Sequence, residues 1–276
     1  MSFTSRLIAS LTDRIILEPS RHDIEVSGKY RRVLPRGDEQ LEIWCHRSGP
    51  GPDREADLFV LRFPGTASRA EDITDLLDGS WPDLCVEAWA VNPPGYGASG
   101  GRASLAHIPV VGDLVAEQMR QVAGDRPMLV EGGSLGSVSA LYVAARWEVA
   151  GVVLQNPPPL PEMIRERFPQ RYLKPLGAAF ARRIPDELDS IGNASRAQAR
   201  ALFVSAQRDE VVPPKFQRQI IEAYAGPKRV FEMPEADHAS QFSEDDRARL
   251  RPLTDWLRAG FDRKLANDPP SSPAVG

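Results

Sequence analysis

The run Gly132-Gly133-Ser134-Leu135-Gly136 sets a serine between glycines two positions to either side. That spacing suits a strand turning sharply into a helix, with the serine in strained backbone geometry and its hydroxyl projecting outward. Bulky side chains two positions away would collide there. Taken alone, the pattern also fits a glycine-rich turn with a helix-capping serine. The context favours a nucleophile: apolar Met128 to Glu131 reads as a short strand ahead of it, and Leu135 to Arg146 reads as a helix behind it.

A serine hydroxyl attacks poorly until a base takes its proton. The chain has 4 histidines, His22, His46, His107 and His238, and only His238 follows Ser134. Where nucleophile, acid and base come in that order along the chain, the base belongs after the last strand; His238 stands there, in the loop MPEADHAS. His22 lies in a charged stretch, His46 in or beside a strand and His107 ahead of a helix, so solvated or structural roles suffice for them. The segment ALFVSAQRDEVVPP puts Asp209 in a polar turn before a proline-initiated helix. Its carboxylate is expected to accept the imidazole N–H, fix the tautomer and stabilise the imidazolium as it forms. Glu210 is the runner-up, and Asp237 is disfavoured because neighbours in one loop seldom reach that geometry.

A developing oxyanion needs preorganised donors. One is expected from the N–H of Leu135, the residue after the nucleophile, and the other from Thr66 or Ala67 in the loop after the strand at 57–63. Asn92-Pro93-Pro94-Gly95-Tyr96 reads first as a rigid turn, though its place at a strand end lets Tyr96 border a pocket. Phe168, Tyr172 and Phe180 hint at an apolar substrate surface, and packing between cap and core explains them equally well.

These groups need a frame. Short apolar runs stopped by glycine or proline recur at 57–63, 84–91, 128–131, 149–155, 201–205 and 228–233, as central parallel strands do. Helical stripes fill the gaps: Ile73, Leu76 and Leu77; Val111, Leu114, Val115, Met119 and Val122; Phe216, Ile220, Ile221 and Tyr224; Leu250, Leu253, Trp256, Leu257 and Phe261. The alternation predicts an α/β fold, a mostly parallel central sheet with helices on both faces. HDIEVSG, KYRRVL and LEIWCHR, between residues 20 and 49, offer antiparallel strands at one edge. Residues 1–20 read as an N-terminal amphipathic helix, with Phe3, Leu7, Ile8, Leu11 and Ile15 at helical spacing. Residues 21–156 and 201–265 read as the core, 157–200 as a small helical cap insertion, and 266–276 as a disordered tail.

Net charge is −4 with both signs dispersed, which argues against nucleic acid as a partner. No apolar run reaches transmembrane length, and charges interrupt any signal-peptide core, so a cytoplasmic location is expected by default. Oligomeric state is unreadable from the sequence. Cys45 and Cys85 sit in apolar strand-like runs and read as buried free thiols; no Cys/His spacing suggests a metal.

Pro64-Gly65-Thr66, NPPGYGASGG, GGSLGS, SAQRDEVVP and EADH, in that order, resemble the α/β-hydrolase superfamily from about residue 57 to 262. The chain looks most similar to the small-cap branch that includes protein depalmitoylases. The resemblance implies cleavage of a small-molecule or acyl substrate, by ester, thioester or amide hydrolysis, without a cofactor. Two departures stand out. The family usually has His-Gly where this chain has Pro64-Gly65, and proline removes one N–H and fixes φ. The depalmitoylase relatives carry a membrane anchor or a cysteine-rich lipidated start, which is absent here, so a lipidated-protein substrate is not expected. A carboxylic-ester or thioester hydrolase is the leading reading. An acyltransferase or peptidase on the same fold, or a binding protein that retained it, are the alternatives.

Overall fold

The chain's structure is a computed structural model that describes residues 13, 16–51, 54–73, 77, 79–167, 181–182 and 184–262. Among them are eight strands: β1 (Lys29–Arg36), β2 (Glu39–Ser48), β3 (Leu58–Phe63), β4 (Val86–Asn92), β5 (Met128–Gly133), β6 (Gly151–Gln155), β7 (Ala201–Ala206) and β8 (Lys228–Met233). They form one sheet in the order β1-β2-β4-β3-β5-β6-β7-β8. Pairing is antiparallel from β1 to β2 and from β2 to β4 and parallel elsewhere, so only β2 runs against the rest. The expected edge strands KYRRVL and LEIWCHR are this hairpin; HDIEVSG adds no strand.

Helices that lie wholly among the described residues are α1 (His107–Ala123), α2 (Leu135–Ala144), α3 (Leu160–Arg167), α4 (Ser190–Ala194), α5 (Pro214–Ala223) and α6 (Glu244–Arg258), with a 3-10 turn at Asp186–Leu188. Period-two burial explains the layering. In β3, Phe59 and Leu61 face a core shared with Val115 and Met119 of α1, Leu141 of α2 and Ile220 of α5. Leu58 and Val60 face the other way, toward Trp81 and toward Leu250 and Leu257 of α6. Every residue of β3 and of β7 is buried, as strands covered on both faces must be. The outer strands differ: β1 and β8 carry Arg31, Arg32 and Arg36, and Lys228 and Arg229, along the two open edges.

Cys45 and Cys85 are buried free thiols. Burial pushes the Cys45 thiol up to about 12. The stripe of Ile73, Leu76 and Leu77 falls partly outside the described residues, though Leu77 is buried. Phe3, Leu7, Ile8, Leu11 and Ile15, and the tail from 266, also lie outside. Ile16 and Leu17 are helical and the helix has ended by Glu18, whose φ is 47°. The following Pro19 disfavours a right-handed helical residue before it. Between 157 and 200 the described residues hold α3, the 3-10 turn and α4 and no strand. Ala194 and Ala197 already join the main core.

Candidate active site

The loops after β3, β5, β7 and β8 all leave the same edge of the sheet, the carboxyl edge of its parallel strands, where open α/β sheets gather ligand sites. Ser134 sits between β5 and α2 with φ 49° and ψ −124°. That is strained backbone for a residue with a Cβ, and surrounding contacts must hold it. They are visible. Ser134 N–H donates to the Gln155 carbonyl at 2.8 Å, and the Ser137 hydroxyl donates to the Gly132 and Gln155 carbonyls at 2.8 and 3.2 Å. The two flanking glycines follow from space alone. A Cβ on Gly132 would overlap the Gly136 carbonyl oxygen, and a Cβ on Gly136 would overlap the Phe63 carbonyl oxygen. Both obstacles are backbone and cannot rotate aside. Gly136→Ala is therefore expected to lower stability by about 3 kcal/mol, measurable as a fall in the denaturant midpoint. A midpoint equal to wild type would mean that the elbow relaxes freely.

After β7 the chain turns at Asp209, which is 2% exposed. Its Oδ1 accepts the N–H groups of Val211 and Val212 at 2.8 and 2.7 Å, and its Oδ2 accepts His238 Nδ1–H at 2.7 Å. Gln217 of α5 holds the turn from behind, its Nε2 donating to the Val212 carbonyl at 2.7 Å and lying 3.4 Å from Asp209 Oδ2. With Nδ1 as the donor, Nε2 of His238 is left as the accepting nitrogen, the tautomer a general base needs. Glu210 is exposed, whereas Asp209 is buried. Asp237 does not take the imidazole bond. Its carboxylate accepts the Ser240 hydroxyl at 2.7 Å and the Ala239 N–H at 3.1 Å, which shapes the loop that carries His238. Those donors hold its carboxyl below the usual range.

The structure thus joins Asp209 to His238 and puts Ser134 at the same edge of the sheet. Among the described residues no hydrogen bond links the Ser134 hydroxyl to the imidazole. Such contacts commonly tighten only with substrate bound.

Opposite the elbow lies the loop after β3. A Cβ on Gly65 would lie 3.4 Å from Ser134 Cβ, so Pro64-Gly65-Thr66 runs directly past the serine. The Ala67 N–H goes to the Leu17 carbonyl at 3.3 Å, so it is committed elsewhere. Leu135 N–H, expected as the other donor, is the first amide of α2. The Thr66 hydroxyl donates to the Ile16 carbonyl at 3.0 Å.

Tyr96 is buried, and its hydroxyl donates to the Leu17 carbonyl. It borders an apolar cavity of about 30 Å³ beside Gly65 and Leu135. Phe168, Tyr172 and Phe180 lie outside the described residues. His46 is in β2, His107 starts α1 with its Nδ1 3.1 Å from the Arg102 carbonyl, and the His22 ring lies against the Ser20 hydroxyl; among the described residues none of the three is hydrogen-bonded to Asp209 or Ser134.

Leu17 escaped the sequence reading, because no spacing rule ties an N-terminal leucine to a loop 50 residues later. So did Asn92, which is fully buried. Its Oδ1 accepts Ala70 N–H at 2.9 Å and its Nδ2 donates to Glu42 and Glu71, each at 2.8 Å. Asn156 does similar work at the end of β6, accepting Ala206 N–H at 2.9 Å. Asn92 ends β4 and Asn156 directly follows β6, each immediately before a proline, and that Asn-Pro pair was the available signal.

No family model matches the chain. An uncharacterized membrane protein of Saccharomyces cerevisiae is 29% identical over 158 residues, 55% of this chain and 54% of the relative. Alpha/beta hydrolase domain-containing protein 17B of Xenopus laevis is 25% identical over 189 residues, 64% of this chain and 62% of the relative. The chain spans somewhat more than half the length of these curated relatives. Among solved structures, an esterase of Pyrococcus furiosus superposes with a TM-score of 0.65 at 13% identity, covering 91% of this chain and 98% of its own. Acetyl xylan esterase 1 from Thermoanaerobacterium gives 0.59 at 16% identity, covering 91% and 93%. The sheet order and these superpositions show the α/β-hydrolase fold.

Proposed function

With an α/β-hydrolase-fold protein as the premise, we propose that the chain is a serine hydrolase cleaving a carboxylic ester or thioester through an acyl-enzyme on Ser134. The observation that carries the reading is the buried Asp209 carboxylate bonded at 2.7 Å to His238 Nδ1, on the edge where Ser134 stands in its strained turn. The esterases and the hydrolase-domain relative named above support the same class of reaction.

In the reaction, Ser134 Oγ attacks the acyl carbon while His238 Nε2 takes the hydroxyl proton. The tetrahedral oxyanion rests on the N–H groups of Leu135 and Thr66. The C–O or C–S bond then breaks, the imidazolium gives its proton to the departing alcohol or thiol, and the acyl group stays on Ser134. Water attacks next, with His238 again as base, and the carboxylic acid leaves. Asp209 keeps its charge throughout and stabilises the imidazolium. Pro64 offers no N–H, so the loop after β3 contributes through Thr66, and the rigid Pro64 φ sets where that amide points.

Wild-type protein treated with a fluorophosphonate probe is expected to gain one phosphonyl group, mapped by peptide mass to Ser134, and to hydrolyse p-nitrophenyl esters. Adding an alcohol or amine acceptor separates hydrolysis from acyl transfer. A protein inert to both probe and esters would sink the reading.

A further inference from the structure

Residues 16–22 run along the loops after β3 and β4 as a strap. The Ile16 carbonyl accepts the Thr66 hydroxyl at 3.0 Å, and the Leu17 carbonyl accepts Ala67 N–H at 3.3 Å together with the Tyr96 hydroxyl. The Ser20 carbonyl accepts Gly97 N–H at 2.9 Å and Arg69 Nη1–H at 3.2 Å. Arg21 reaches the Ser99 and Gly101 carbonyls at 2.9 and 3.0 Å. These bonds press the Leu17 side chain, 4% exposed, into an apolar cluster with Tyr96, Ile108 and Leu135.

The strap borders a small apolar cavity. The cavity of about 30 Å³ is bounded by Leu17, Phe63, Gly65, Tyr96, Ile108 and Leu135, among others. Two of those residues place it chemically. Gly65 passes within contact distance of Ser134, and Leu135 is the next residue along the chain. A group bonded to Ser134 Oγ, with its oxyanion between the amides of Leu135 and Thr66, has this apolar hole beside it. The volume is on the order of one or two water-sized groups, and Leu17 forms one wall of it.

We propose that this hole is the acyl subsite of Ser134 and that Leu17, held by the strap, restricts it to short acyl groups such as acetyl and propanoyl. The proposal rests on the acyl-enzyme reading and adds the substrate class. Among the described residues, this hole holds only the first carbons of a longer chain unless Leu17 moves. Each methylene accepted or rejected by an apolar pocket changes kcat/KM by about tenfold or more.

The test compares p-nitrophenyl acetate, butanoate and octanoate on wild type, Leu17→Ala and Ile108→Ala. Fluorophosphonate labelling and thermal melting are followed in parallel. Wild type is expected to favour acetate over octanoate by tenfold or more. Leu17→Ala is expected to raise the butanoate-to-acetate ratio of kcat/KM about tenfold while Ser134 stays labelled. Ile108→Ala opens the same hole from α1 and is expected to shift the ratio in the same direction, so the question is answered even if Leu17→Ala does not fold. A wild type that prefers octanoate, or folded variants whose ratios equal that of wild type, would overturn the subsite and leave the acyl-enzyme reading standing. A wild type that is never labelled at Ser134 would overturn both.

Discussion

Ser134→Ala is expected to remove fluorophosphonate labelling and to lower kcat on p-nitrophenyl acetate by about 10⁵-fold or more, with a melting temperature close to wild type. The size of the loss follows from the chemistry. Without the hydroxyl no acyl-enzyme forms, and what remains is the acceleration that oxyanion donors and substrate binding provide alone. The unchanged melting temperature follows from the contacts. The bonds that hold the elbow run through Ser134 N–H and the Ser137 hydroxyl, and no bond of the Ser134 hydroxyl contributes to them. Alanine keeps the Cβ, so it sits in the same strained φ of 49°. The measurement is steady-state kinetics alongside calorimetry. Activity retained within tenfold would place the nucleophile elsewhere.

Asp209→Asn is the second large effect, about 10⁴-fold in kcat. The amide is nearly the same size, and its carbonyl oxygen can still accept the N–H groups of Val211 and Val212, as Oδ1 does now at 2.8 and 2.7 Å. Its NH₂ must then face His238 Nδ1, where Oδ2 stands in the wild type. An NH₂ donates, so the imidazole must accept at Nδ1 and carry its proton on Nε2. That tautomer cannot take the serine proton, and no carboxylate remains to stabilise an imidazolium. The variant is expected to fold and to label slowly with fluorophosphonate. Kinetics within tenfold of wild type would move the acid to another residue, with Glu210 the first to substitute.

Much of the frame was legible in the sequence. The six strands from 57 to 233 stand within a few residues of where apolar runs ended by glycine or proline put them, because strands buried on both faces have few alternatives. The hairpin at the edge was legible for KYRRVL and LEIWCHR. HDIEVSG alternates equally well, yet its backbone is drawn off toward Arg69, whose guanidinium donates to the Ser20 and His22 carbonyls. The elbow could be read from its glycines because their requirement is local and steric. The pairing of His238 with Asp209 rather than Glu210 or Asp237 could be argued from order along the chain. The reason for it, two backbone amides gripping one oxygen so that the other faces the ring, is tertiary. Leu17 was illegible, since its contacts with Tyr96 and Ala67 depend on where distant loops meet.

The charge on the two outermost strands bears on how molecules of this protein meet in concentrated solution. A sheet with open margins can in principle extend from one molecule into the next through main-chain pairing. Here one margin presents Arg31, Arg32 and Arg36 with Pro35 among them, and the other presents Lys228 and Arg229. Proline lacks the N–H such a junction needs, and charged side chains on both margins, Arg31 with its partner Glu42 on one and Lys228, Arg229 and Glu232 on the other, must lose water before two margins can meet. Runaway stacking of sheets is opposed by the same residues that finish the fold.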